Sequence, residues 1–145
     1  VGETHTNMLL RKKVGGKVKI SSEMSFDDQM CPTIVLAYDL GDRADGVPEL
    51  HRDIWVLIWD NGLRICTRVW DGKASDWTIV AWGSFKLNPE QRYRLDVSVR
   101  GKKIQATVDG HTIGCTCNDV PDCYYAGITG CEGVNRFYDF RLQSA

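Results

Sequence analysis

Alternation constrains this chain more than any other feature. Tyr93, Leu95, Val97 and Val99 are apolar, and Arg94, Asp96 and Ser98 between them are polar. Successive side chains on a strand point to opposite faces, so the run reads as a strand with one buried face. Val18 to Phe26 alternates in the same way. Thr33 to Leu40 and Ile54 to Asp60 are apolar on both faces, which predicts central strands covered on both sides. Asn61-Gly62, Asp71-Gly72, Arg100-Gly101 and Asp109-Gly110 separate such runs, as turns requiring positive φ would. Gly62–Trp70, Thr78–Phe85, Lys102–Val108, His111–Cys117, Tyr124–Thr129 and Arg136–Leu142 follow as further strands. No segment carries a helical stripe. About nine or ten strands at roughly eight- to twelve-residue spacing predict an all-β chain, an antiparallel β-sandwich of the jelly-roll type. The 145 residues, with no repeat or linker, fit one domain spanning 1–145.

Composition removes several partner classes. The net charge is −1 with both signs mixed along the chain, so no global field points to nucleic acid or an anionic membrane. No apolar run is long enough for a spanning helix, so membrane insertion is not expected. The first residues lack the basic start and apolar core of a signal peptide, so a secreted protein would be represented by its mature domain or a fragment.

Six cysteines favour an oxidising compartment and disulfides. Four of them form C-x-C-x5-C-x7-C, from Cys115 to Cys131. Structural zinc sites usually open with C-x2-C or C-x4-C, so disulfides or buried thiols are the better reading. Cys31 and Cys66 are left as a pair that neighbouring strands could bridge, although connectivity stays open.

Catalytic motifs are missing: there is no nucleophile elbow, zinc-protease helix motif, P-loop or dinucleotide fingerprint. His5, His51 and His111 have no motif-level metal partner and read as solvated residues. Paired carboxylates for glycoside cleavage are set by three-dimensional separation, and spacing singles out none.

The stretch "YRLDVSVRGKKIQATVDG" (Tyr93–Gly110), then "YAGI" (Tyr125–Ile128) and "FYDFRL" (Phe137–Leu142), resembles the end of concanavalin A-like lectin/glucanase sandwiches. It is most similar to the laminin-G-like jelly rolls, among them carbohydrate-binding modules appended to glycosidases. The resemblance covers about the last sixty residues well and the remainder by strand pattern. It implies a secreted or extracellular, non-catalytic, lectin-like module of a multimodular protein, with a polysaccharide or other glycan as partner. Ligand would sit on the concave sheet or the loop-rich rim. No cofactor is required, but some relatives hold a structural calcium near the last strand, where Asp139 is the matching carboxylate. A glycan-active hydrolase or lyase on the same fold, and a protein-interaction or adhesion domain, are the alternatives, so enzyme status stays open.

Every tryptophan lies between Trp55 and Trp82. Strand parity makes Trp55 and Trp59 core residues and places Arg64, Cys66, Arg68 and Trp70 on a face opposite Leu63, Ile65 and Val69. In the next strand Ile79, Ala81 and Phe85 are expected to face the core and Trp82 to face away. Sugars combine an apolar ring face with hydroxyls, so stacking rings beside bidentate donors would recognise them. Trp70 is therefore the leading ligand residue, with Arg68, Arg64, Trp82 and the turn residue Trp77. Asp39, Asp53 and Asp96 are candidate acceptors. The charged connector from Gly41 to Asp53 adds Asp42, Arg43 and Arg52.

Overall fold

A computed structural model describes residues 6–27, 31–42, 48–59, 61–130 and 134–144. Two antiparallel sheets face each other, and no helix occurs among the described residues. The six-stranded sheet contains β1 (Thr6–Leu9), β3 (Thr33–Asp42), β4 (Pro48–Ile58), β5 (Gly62–Trp70), β6 (Ser75–Ser84) and β10 (Tyr125–Gly130), in the order β1-β10-β3-β4-β5-β6. The five-stranded sheet contains β2 (Lys17–Phe26), β7 (Tyr93–Arg100), β8 (Lys103–Val108), β9 (His111–Thr116) and β11 (Asn135–Ser144), in the order β11-β2-β7-β8-β9. The all-β sandwich expected from alternation is therefore the observed fold.

The inner faces meet in one core. Val18, Ile20 and Met24 of β2 join Leu95, Val97 and Val99 of β7 from one sheet. Ile34, Leu36, Ile54, Val56, Leu63 and Ile65 come from the other. Their two-residue spacing is the alternation read from the sequence. Strands β3 and β4 bury their outer faces too: Val35, Ala37, Trp55 and Leu57 form a second apolar cluster with Cys31, Leu50 and Cys66. This double coverage explains why these two segments are apolar throughout. At the turn between β8 and β9, Asp109 and Gly110 both take positive φ, 49° and 78°, as a two-residue hairpin requires.

Four details depart from the expectations. Strand β1 is an additional edge strand, paired to β10. The Gly41–Asp53 connector is mostly strand: β3 continues to Asp42 and β4 begins at Pro48, so Arg52 and Asp53 lie within a sheet. Arg43 lies outside the described residues. Trp59, expected in the core, is 37% exposed just beyond the end of β4. Finally, the β5–β6 register shifts between Ile65 and Cys66, which pair with Ala81 and Ile79 and leave Val80 as an extra residue. One inserted residue reverses parity along the rest of the strand. Ile79 therefore points away from the core, with 46% of its surface exposed.

The cysteines divide differently from the expected set of bridges. Cys66, Cys115, Cys117 and Cys123 are free thiols, so the Cys31–Cys66 bridge does not form, whereas Cys31 is disulfide-bonded. Cys131 lies outside the described residues. Burial pushes the Cys66, Cys115 and Cys117 thiols above their ordinary range. Thiolates are the reactive form, so alkylation of the folded protein should modify exposed Cys123 first. Mass spectrometry of a brief alkylation checks this; equal early labelling of Cys66 would contradict the burial.

Tyr124 is fully buried in the main core, and its hydroxyl has no hydrogen-bond partner. Burial pushes its pKa up to about 12. Tyr38 is also raised to about 12, by burial and then by the charges of Asp119 and Asp53. Unfolded tyrosines ionise near about 10. The folded chain thus keeps protons that the unfolded chain releases, and the associated stability is intact below about 10 and lost as pH rises towards 12. Tyr124→Phe removes one such group together with an unpaired hydroxyl. It should unfold at higher pH than the wild type in an alkaline titration followed by circular dichroism. At neutral pH its stability should be equal or slightly greater; a loss above about 1 kcal/mol would mean the hydroxyl is bonded.

Candidate functional site

The outer face of β5 and β6 gathers five of the candidate residues, Arg64, Arg68, Trp70, Trp77 and Trp82. Cross-strand register places Arg64 opposite Trp82, Cys66 opposite Ile79, Arg68 opposite Trp77 and Trp70 opposite Ser75. Residues directly opposite share a face. Three large apolar side chains on this edge strand are open to solvent: Trp77 is 39%, Ile79 46% and Trp82 69% exposed. Trp77 and Trp82 are separated by roughly 13 Å, at about 3.3 Å per residue and one residue lost to the bulge. That span suits a short chain of rings rather than one.

Arg68 does not present donors to solvent. It is 4% exposed and pairs with Asp53, which is fully buried. Its Nε and Nη2 donate to the two carboxylate oxygens at 3.0 and 2.8 Å, Nη1 donates to Ser75 Oγ at 3.0 Å, and Nη2 also donates to the Leu50 carbonyl at 3.1 Å. The guanidinium carbon lies 5.7 Å from the Trp55 ring centre and 5.9 Å from that of Trp77. Trp55 and Trp77 meet edge to face at 4.8 Å. Arg68 and Asp53 thus hold Trp77 in place rather than reaching a ligand. Arg64 is different. It is half-buried, faces Trp82, and makes no ion pair with any described residue, so its donors are available beside the most exposed ring.

The remaining candidates scatter. Trp70 is half-buried, and its indole nitrogen is enclosed, which makes it a weaker platform than Trp82. Asp39 and Arg52 form an exposed cross-strand pair at 3.8 Å on β3 and β4. Asp42 ends β3. Asp96 belongs to the other sheet, where it accepts from Arg94 Nε at 3.1 Å, so it cannot join the β5–β6 face. Asp139 sits at a bulge of β11 with φ 51°, and its oxygens accept from Arg141 at 3.1 and 2.9 Å. It would have to surrender that pair to take a calcium ion, and no group of three metal-ligating side chains occurs among the described residues. Two of the histidines are engaged: His51 Nε2 lies 3.3 Å from Glu49, and His111 stacks on Phe85 at 4.0 Å. His5 lies outside the described residues. Ile79 was missed because strand parity predicts it to be inside; only the bulge exposes it.

No family profile matches the sequence, and no curated protein matches it. Solved structures do. The carbohydrate-binding module CBM66 from Bacillus subtilis superimposes with a TM-score of 0.74 at 10% identity, covering 99% of this chain and 84% of that one. Chicken galectin 2 aligns with a TM-score of 0.63 at 11% identity over 95% of this chain and 100% of that one. The fold is a concanavalin A-like β-sandwich. An alginate lyase of polysaccharide lyase family 7 shares the sandwich, with a TM-score of 0.55 at 13% identity, but this chain spans only 60% of its length. At these identities the likeness shows the concanavalin A-like sandwich alone, and the chemistry must come from this chain's own side chains.

Proposed function

We propose that this protein is a carbohydrate-binding, lectin-like domain that takes a glycan on the outer face of β5 and β6. The observation that carries the reading is the exposed row Trp77, Ile79 and Trp82, with Arg64 opposite Trp82. Sugar rings stack on the tryptophan faces, and Arg64 donates to hydroxyls at the edge of the stack. Trp77 is pre-set by its contacts with Arg68 and Trp55, so little side-chain freedom is lost on binding. The carbohydrate-binding module and the galectin on the same sandwich support this reading. The domain acts without chemistry, as a secreted targeting module of a larger protein.

Titration of intrinsic tryptophan fluorescence with neutral oligosaccharides tests it. Saturable quenching or a spectral shift is expected from Trp77 and Trp82, with no new reducing ends produced. Turnover of a bound glycan would replace the binding role with a catalytic one, and no response across a broad panel would reject the site.

A further inference from the structure

The outer face of the five-stranded sheet carries a different chemistry. Lys17 of β2 stands opposite Arg100 of β7, and Arg100 stands opposite Lys103 of β8. Three cations lie side by side across three adjacent strands, an arrangement that costs stability by like-charge repulsion. All three are exposed, and none makes an ion pair with a described residue. Lys19, in a neighbouring row between Ser98 and Gln143, is exposed and unpaired as well. Other arginines on this sheet are neutralised locally: Arg94 by Asp96, Arg141 by Asp139 and Arg136 by Asp27. The chain as a whole carries −1, so the four free cations are a local concentration and not a general bias.

The surface is also shaped. Two hollows of about 930 and 600 Å³ lie on this face and share Ser98, Arg100 and Gln105 in their walls, so they form one trough. Lys19, Arg100 and Lys103 stand in its walls with the hydroxyl and amide side chains of Ser98, Gln105 and Thr107, and Lys17 flanks it beside Arg100. Phe140 is the one ring among the described lining residues, and it is packed against the core.

We infer that this trough is a second binding surface, for an anionic polysaccharide whose carboxylate or sulfate groups meet Lys17, Lys19, Arg100 and Lys103. The unpaired cations supply the charge complement, and the hydroxyls and amides match the sugar hydroxyls between the anions. Single-stranded nucleic acid fits less well, because it is held by bases stacked on exposed rings and the trough offers none. The inference is independent of the proposed β6 site, with which it shares no residue.

Affinity electrophoresis of the full chain in gels containing polygalacturonate or heparin oligosaccharide tests it, the two arms separating carboxylate from sulfate recognition. Retardation in at least one gel is expected, fading as salt screens the charges. The triple variant Lys17→Gln/Arg100→Gln/Lys103→Gln should lose at least tenfold in affinity. Because it relieves repulsion, it should unfold at the same denaturant concentration as the wild type or a higher one. Lys86→Gln, which removes an exposed cation outside the trough, should be retarded like the wild type. Absence of retardation in both gels, or unchanged retardation of the triple variant, would overturn the inference. Equal or tighter binding to a single-stranded DNA oligomer would overturn the assignment to polysaccharide.

Discussion

Asp53→Ala should destabilise the protein by about 3–5 kcal/mol, the usual consequence of removing one partner from a buried ion pair. Asp53 has no exposed surface, and the guanidinium of Arg68 is bound to both of its oxygens. Without the carboxylate, a charge remains between two tryptophans where water cannot restore the lost hydrogen bonds. Domains of ordinary stability hold only about 5–15 kcal/mol in total, so the variant should sit close to unfolding. Urea denaturation measures the loss. Asp53→Leu combined with Arg68→Met should recover most of it, because two apolar side chains leave no orphaned charge. A loss below about 1 kcal/mol for Asp53→Ala would place the pair in solvent-screened surroundings.

The double variant Trp77→Ala/Trp82→Ala should abolish binding of neutral glycans, with a loss of at least about a hundredfold, or roughly 2.7 kcal/mol. Exposed aromatic anchors dominate recognition surfaces of this kind. Trp82→Ala alone should leave stability within about 0.5 kcal/mol, because the ring is 69% exposed and makes few core contacts. Trp77→Ala should cost more, since it also removes the edge contact with Trp55 and uncovers Arg68. Calorimetric titration against the tightest neutral oligosaccharide, run beside urea denaturation, separates the two effects. Binding that survives the double variant would move the glycan to another surface.

Much of the sandwich was legible because alternation carries burial directly. Tyr93 to Val99 reads buried, exposed, buried along its length, as expected. The doubly apolar runs in β3 and β4 correctly announced coverage on both faces. The site was legible only in part. Parity placed Arg64, Arg68, Trp70 and Trp82 on the outer side, and the register added Trp77. What parity cannot reveal is an inserted residue. The extra residue at Val80 exposes Ile79 and aligns it with the two tryptophans, and nothing local in "WTIVAW" announces it. Nor can spacing reveal that Arg68 has a buried partner fifteen positions away in sequence on the next strand. Arg68 and Asp53 are residues of a kind that reads as surface, and the structure makes them the support behind Trp77. Asp96 shows the opposite failure: a polar strand residue can face solvent on either sheet, and only the strand order assigns it.

A screen of neutral glycans with the wild-type protein alongside Trp82→Ala tests the central claim most directly. Retention of the wild type on at least one glycan, with the folded variant released from it, is the predicted result. Retention of both proteins alike, or of neither, would contradict a glycan platform on β6.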